Sequence, residues 1–244
     1  MDLFETMIQH TSVRDFTQQD VPQELKEQLV SAAQSVSSSN FLQAYSIIEI
    51  RDPKKLQAIE SFSRNPGFIS QAGVFYIFVA DLQRHARILQ AQQKDISHLK
   101  TMEPLLVSII DTTLAAQGMA TFAESQGLGI CFIGGVRNQI FEVSELLELP
   151  PLTVPLFGLA IGYPRNKNQV KQRLPKTIAA PIDRYHFDGM DIKEYDLTME
   201  NYYTQRISNQ QQTSWSQKVI DFFATAKRPQ LNEFLKHQGF TEIK

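Results

Sequence analysis

Three tracts of the chain carry residue types that can do chemistry. The first is His10-Thr11-Ser12-Val13-Arg14. If it is extended, alternate side chains share a side, so His10, Ser12 and Arg14 form a donor-rich edge with one permanent cation. Such an edge suits a phosphate or the polar rim of a ring; a solvated loop with a helix-capping serine fits the same residues. The second is the apolar run Leu128-Gly129-Ile130-Cys131-Phe132-Ile133, which opens onto Gly134-Gly135 and then Val136-Arg137-Asn138. A short apolar run bounded by glycines reads as a buried strand, and paired glycines let the backbone approach a flat or anionic ligand where a Cβ would collide. The same pair also serves as an ordinary turn. The third is residues 163–176, where five cations, Arg165, Lys167, Lys171, Arg173 and Lys176, occur with no acid in a chain of net charge -2. A solvated basic loop and a phosphate clamp both fit that imbalance.

Other chemistries find little footing. The single cysteine, Cys131, lies inside the apolar run and reads as a packing residue more than a nucleophile. No two histidines stand at helical ligand spacing and no cysteine joins them, so a metal site is not expected. A net charge of -2 gives no reason to invoke nucleic acid or an anionic membrane surface. With 42% apolar residues over 244 positions, the chain can bury a sizeable core as one large domain or two small ones. Met1-Asp2-Leu3-Phe4-Glu5 has no basic region followed by an apolar stretch, so no secretory signal is expected. The most apolar long segment, residues 104–123, is broken by Ser108, Asp111, Thr112, Thr113 and Gln117 and does not read as a membrane span. A soluble, reduced, cytoplasmic protein is the expectation.

The elements that must position these tracts follow from periodicity. Leu3, Phe4, Met7 and Ile8 mark one face of a short helix ending near His10. Asp20 as cap, Pro22 in the first turn and Gln23 start a second helix, which the serine run before Asn40 and Phe41 should break. Residues 45–50 and 154–162 are strands, and residues 74–80 form the strongest one, apolar on both faces and therefore central in a covered sheet. Residues 83–100 turn polar. Residues 104–126 form a long helix apolar around most of its circumference, buried in the core or at a subunit contact, and ended by Gly127 and Gly129. Beyond residue 182 strand patterns vanish; helices are expected over 191–205, after a Ser214 and Gln217 capping box, and through Leu231, Phe234 and Leu235 to Gly239.

Taken in order, several tracts resemble the flavin-dependent NAD(P)H nitroreductase and flavin reductase family, in particular the oxygen-insensitive group with a long helical C-terminal extension. They are His10-Thr11-Ser12-Val13-Arg14, the serine run through Ser39-Asn40-Phe41-Leu42-Gln43-Ala44, Gly127 through Asn138, Leu156-Phe157-Gly158-Leu159-Ala160-Ile161-Gly162 and Lys171-Gln172-Arg173-Leu174-Pro175. The likeness covers nearly the whole chain, including Tyr202-Tyr203 and Thr213-Ser214-Trp215-Ser216.

The resemblance implies an α+β homodimer with a central, mostly antiparallel sheet between helices. It implies an FMN-binding core over residues 1–181 and a helical extension over 182–244 that packs, in domain-swapped fashion, on the core or the partner subunit. FMN would be bound without a covalent link at the subunit interface. Its phosphate would be held by the 10–14 tract, with His10, Thr11, Ser12 and Arg14, and by Lys171 and Arg173. Its ring would lie against Phe132, Ile133, Gly134 and Gly135, and Ser38, Ser39, Asn40 and Phe41 would come from the other subunit. Asn65 is the candidate for a flavin-contacting glutamine of the family.

No catalytic side chain is implied, because the hydride chemistry belongs to the flavin. NADPH-preferring members carry several arginines in the C-terminal connector; here only Arg206 stands there, with Arg228 beyond, so use of both NADH and NADPH is expected. The acceptors would be nitroaromatics, quinones or similar electron-poor small molecules. Reduction of free flavin for a partner enzyme, and a non-enzymatic flavin-binding dimer, are the other readings.

Overall fold

The computed structural model describes residues 2–64, 67–185, 192–206 and 210–241. The chain forms two compact units, Met1–Lys167 with Arg228–Lys244, and Asn168–Lys227. The first runs α1 (Leu3–Ile8), α2 (Gln23–Gln34), β1 (Tyr45–Glu49), α3 (Pro53–Ser63), β2 (Val74–Asp81), α4 (Gln83–Ala91), α5 (Met102–Ser125), β3 (Gly129–Ile133), α6 (Ile140–Leu146) and β4 (Thr153–Gly162). The second holds α7 (Lys176–Ala179), α8 (Lys193–Thr204) and α9 (Trp215–Phe223), while α10 (Leu231–His237) belongs to the first.

The sheet has the order β1-β2-β4-β3, and every neighbouring pair is antiparallel. This is the expected α+β architecture. The period of two in β2 divides its side chains between two cores: Val74, Tyr76 and Phe78 face a cluster with Leu29 of α2 and Ala116 and Met119 of α5. Phe75, Ile77 and Val79 face Ile59 of α3 and Val143 of α6. All eight residues of β2 are buried, as its unbroken apolar run requires. Burying each of these large side chains stabilises the fold by about 1.5–3 kcal/mol. A third cluster joins Phe234 and Phe240, from α10 and the chain after it, to Leu82, Leu105 and Ile140.

Helix α5 spans Met102–Ser125 and is long and apolar enough to cross a membrane. Its Ser108 and Thr112 are buried and donate to the carbonyls of Leu105 at 2.8 Å and Ser108 at 2.6 Å, so these two polar interruptions are satisfied within the helix. Gly127, at φ +78°, ends it with its N–H on the Glu124 carbonyl at 3.0 Å.

Several local expectations need correction. Asp20 does not cap α2, which starts at Gln23 with Pro22 as N-cap and no side-chain cap bond; Asp20 instead accepts from Lys26 Nζ at 2.9 Å. The apolar face of α1 points outward: Leu3, Phe4, Met7 and Ile8 are all exposed and only Thr6 is buried. The polar stretch after residue 82 contains α4, which buries only Ala86. In the second unit Ser214 Oγ accepts from Gln217 N at 3.1 Å, but the Gln217 side chain turns to Asp221, leaving half a capping box. There Tyr195, Met199 and Tyr203 form a small core with Trp215 packed against it.

Gly118, in the middle of α5, tests whether helix propensity or packing governs the α2–α5 contact. An added Cβ would lie 2.4 Å from Val36 Cγ1 and 3.2 Å from the Ala32 carbonyl oxygen. Gly118→Ala gains roughly 1 kcal/mol in propensity but overpacks by roughly 1–3 kcal/mol. We expect a net loss of about 1 kcal/mol, read as a lowered urea midpoint at unchanged slope.

Candidate functional site

The 10–14 tract lies beside β3 at the free edge of the sheet. Ser12 forms a parallel bridge with Ile130, and Val13 N–H donates to the Ile130 carbonyl at 2.8 Å. Val13 turns into the core at 1% exposure. It can do so because residue 129 is glycine: a Cβ there would sit 2.6 Å from Val13 Cγ2. With Val13 pinned inward, alternation leaves its neighbours on the other side. His10 Nδ1 meets Glu124 Oε1 of α5 at 2.7 Å, an ion pair when the ring is protonated and a hydrogen bond otherwise.

Arg14 is exposed and, among the described residues, enters no ion pair, whereas the adjacent Asp15 is engaged by Arg165 at 3.4 Å. Thr11 Oγ1 is buried without a hydrogen-bond partner. The Arg14 guanidinium, on the outward side with His10 and Ser12, is a donor suited to an anion.

The glycine turn follows directly from β3. Residues Gly134–Gln139 form a 3-10 turn, and α6 continues from it. Gly134 differs from the packed glycines of the sheet. Gly158 is faced by Phe75 Cζ 2.3 Å from where a Cβ would stand, and Gly162 by Gly73 N at 2.7 Å. At Gly134 the nearest atom would be Arg137 Nη2 at 3.5 Å, an ordinary contact, and its φ is not left-handed. Among the described residues nothing requires glycine there, so the missing side chain leaves room for a ligand.

Just before the turn, Phe132 is 39% exposed in an otherwise buried strand and meets Phe157 edge-on at 5.5 Å. Ile133 is buried in the core opposite α5, so only its backbone can serve a ligand. Arg137 donates to the Leu156 carbonyl, and burial, then the neighbouring Arg228, lowers its pKa. Arg228 Nε donates to Asn138 Oδ1 at 3.1 Å, from a left-handed backbone at φ 53°.

Ser38, Ser39, Asn40 and Phe41 lie before β1, with Asn40 and Phe41 at φ 48° and 59° and Phe41 78% exposed. In the second unit Lys171 Nζ stands 5.6 Å from the Tyr203 ring centre and Arg206 5.8 Å from that of Tyr202. Arg173 is exposed and lies close enough to Tyr195 to oppose the rise that burial causes in its pKa. Asn65 lies outside the described residues. Sequence reasoning missed Glu124 and Arg137 as partners of these tracts. An acid one turn from the end of an apolar helix was the available signal for the first.

An antiparallel sheet layered between helices, with the donor edge and the glycine turn on one margin, defines an α+β protein. The Nitroreductase family model matches residues 7–163 and the model for the Nitroreductase family C-terminal domain matches residues 171–242, so the chain belongs to the nitroreductase family. It is 39% identical over 243 residues to an FMN reductase (NADPH) of Bacillus subtilis (strain 168), covering 98% of each chain. It is 36% identical over 237 residues to an oxygen-insensitive NADPH nitroreductase of Salmonella typhimurium (strain LT2), covering 97% of each. The solved structure of the NfrA1 nitroreductase from B. subtilis superposes with a TM-score of 0.93 at 38% identity, over 98% of each chain.

Cys131 takes no part in this donor set. Burial pushes its thiol pKa up, and the nearby Arg14 only partly offsets this. At neutral pH it is therefore a protonated, inaccessible thiol and not a nucleophile. A thiol reagent such as DTNB should leave the native protein unlabelled and modify this cysteine completely after denaturation.

Proposed function

We propose that the protein is an NAD(P)H-dependent FMN oxidoreductase that reduces nitroaromatics, quinones and similar electron-poor small molecules by two electrons. The observation that carries this reading is the Gly134 turn, where no described residue crowds an added Cβ, at the end of the same β3 strand that pairs with the tract carrying Arg14, which has no ion pair among the described residues. That donor set fits FMN: a dianionic phosphate calls for cations and hydroxyl donors, and a flat ring calls for backbone approached without side chains. Arg14 would supply positive charge to the phosphate. Thr11, Ser12 and His10 supply hydrogen-bonding groups, with Glu124 fixing the imidazole. The backbone of Ile133, Gly134 and Gly135 would line the ring, and the exposed Phe132 would offer an aromatic surface that excludes water. Bound there, FMN would supply the hydride chemistry, with NAD(P)H as donor and the acceptor following in a ping-pong sequence. Positive charge and N–H groups around the ring favour the reduced, anionic cofactor.

The working form is a homodimer. Met102, Leu106, Ile110 and Leu114 make an exposed stripe at i, i+4 spacing along α5, and the outward apolar face of α1 adds Leu3, Phe4, Met7 and Ile8. Burial of this surface against a second copy would bring Ser38, Ser39, Asn40 and Phe41 to the partner's flavin. The enzyme is cytoplasmic. Reduction of free flavin is a second use of the same site, favoured by the FMN reductase named among the relatives.

The protein should purify yellow and release FMN on denaturation. Arg14→Ala should weaken FMN binding about ten- to a hundredfold, the worth of a charge-assisted hydrogen bond to phosphate. A colourless protein that binds no added FMN would overturn the proposal. NAD(P)H consumption with nitrofurazone against free FMN separates the two acceptor classes.

Both named relatives specify NADPH, yet the described connector here offers Arg206, already stacked over Tyr202, and Arg228, already bonded to Asn138. We therefore expect kcat/KM for NADH and NADPH within about tenfold of each other. A preference for NADPH of about a hundredfold would refute dual use.

A further inference from the structure

Asp111 lies in α5, fully buried, and enters no ion pair among the described residues. Both of its oxygens are committed to backbone: Oδ1 accepts from Ser39 N–H at 2.8 Å and Oδ2 from Ala44 N–H at 3.1 Å. Between those two amides the chain passes through three left-handed residues that are not glycine, Asn40 at φ 48°, Phe41 at φ 59° and Gln43 at φ 51°. Such backbone persists only where its surroundings over-determine it. The carbonyl side of the same segment is held from α4. His85 Nε2 stands 2.9 Å from the Leu42 carbonyl, which can only accept, so that nitrogen carries the proton, and Arg84 Nη2 donates to the Gln43 carbonyl at 3.4 Å. Helix α5 thus grips the N–H groups and α4 the carbonyls of one short loop, whose outward product is the exposed ring of Phe41.

We infer that Asp111 is a positioning residue for the cofactor site: it clamps both ends of residues 39–44 so that Ser39, Asn40 and Phe41 are presented in one fixed conformation. This rests on the proposed FMN reading, in which that loop contacts the flavin. The carboxylate is suited to the task because its two acceptor oxygens face two N–H donors, and ionised acceptors make the stronger bonds. An asparagine of the same shape has one acceptor oxygen and one NH₂, so whichever way it turns, one backbone N–H faces another donor.

The test uses the full-length protein, as purified and after flavin removal. Asp111→Asn should raise hydrogen exchange in the peptide covering residues 38–44 by about tenfold or more while that of β2 is unchanged. It should raise the Kd for FMN by about tenfold, read by quenching of flavin fluorescence. Adding Gln43→Gly to Asp111→Asn should recover part of that affinity, because glycine adopts the left-handed backbone without strain. A merely structural aspartate would show no such rescue.

Unchanged exchange in 38–44, or wild-type FMN affinity despite raised exchange, would overturn the inference. If wild type itself binds no FMN, the flavin reading is what fails, and exchange alone then decides whether Asp111 holds the loop. Should Asp111→Asn not fold, Ser39→Pro compared with Ser39→Ala removes the N–H without touching the core, since Ser38 is extended at φ -133°, ψ 157° and accepts a following proline. Equal FMN affinity in those two variants would count against the clamp.

Discussion

The close approach of Val13 to Gly129 is the contact on which the candidate site depends. A sheet edge presents unpaired N–H and C=O groups to whatever lies beside it, and here the neighbour is held to β3 by the Ser12–Ile130 bridge and the Val13 N–H bond. Any side chain at residue 129 would put its Cβ 2.6 Å from Val13 Cγ2, and the tract would have to shift or roll. Because a one-residue slip reverses every side chain, the position of Val13 decides whether His10 can reach Glu124 and whether Arg14 faces outward. The same strand then runs into the Gly134 turn, so the donor edge and the glycine turn share one rigid origin.

Glycines along this edge fall into two physical kinds. Gly129, Gly158 and Gly162 are glycine because neighbouring atoms fill the space of a side chain, and substitution there meets Val13, Phe75 or the backbone of Gly73. Gly134 has no such neighbour and no left-handed backbone. Composition cannot separate these cases; coordinates can, and the second kind is the one that marks a surface meant to be approached from outside.

Much of this was legible in the chain itself. The unbroken apolar run at β2 announced a strand covered on both faces, and the glycines at 127 and 129 announced the end of α5 and the start of β3. What was not legible has common causes. Helix α4 buries only Ala86 fully, with Leu89 half-buried beside it, and its mostly glutamine, arginine and histidine composition reads as a polar stretch. The periodicity of α1 was real, but periodicity tells which residues share a face and not whether that face meets the core or the outside. Asp111 registered only as a polar interruption, because its partners lie 72 and 67 residues away and the bonds run to backbone, which carries no sequence signature. The tracts of the site were recognisable one by one, whereas the groups that orient them, Glu124 and Asp111, were not.

Those two acids and the exposed stripe share one helix, and that has a mechanical consequence. Consecutive residues on an α-helix are turned by about 100°, so Ile110 faces outward while Asp111 faces the 39–44 loop. A second copy seated on Leu106, Ile110 and Leu114 would bear on the same rigid rod that sets the loop through Asp111 and orients His10 through Glu124. In a dimer whose flavin sites draw residues from both chains, small errors in subunit placement would translate directly into errors at the ring. In the proposed dimer, carrying the exposed stripe and both anchors on one continuous helix would remove the intervening flexible joints. This gives a physical reason why a residue sequence apolar nearly all round is interrupted by an aspartate and a glutamate at these particular turns.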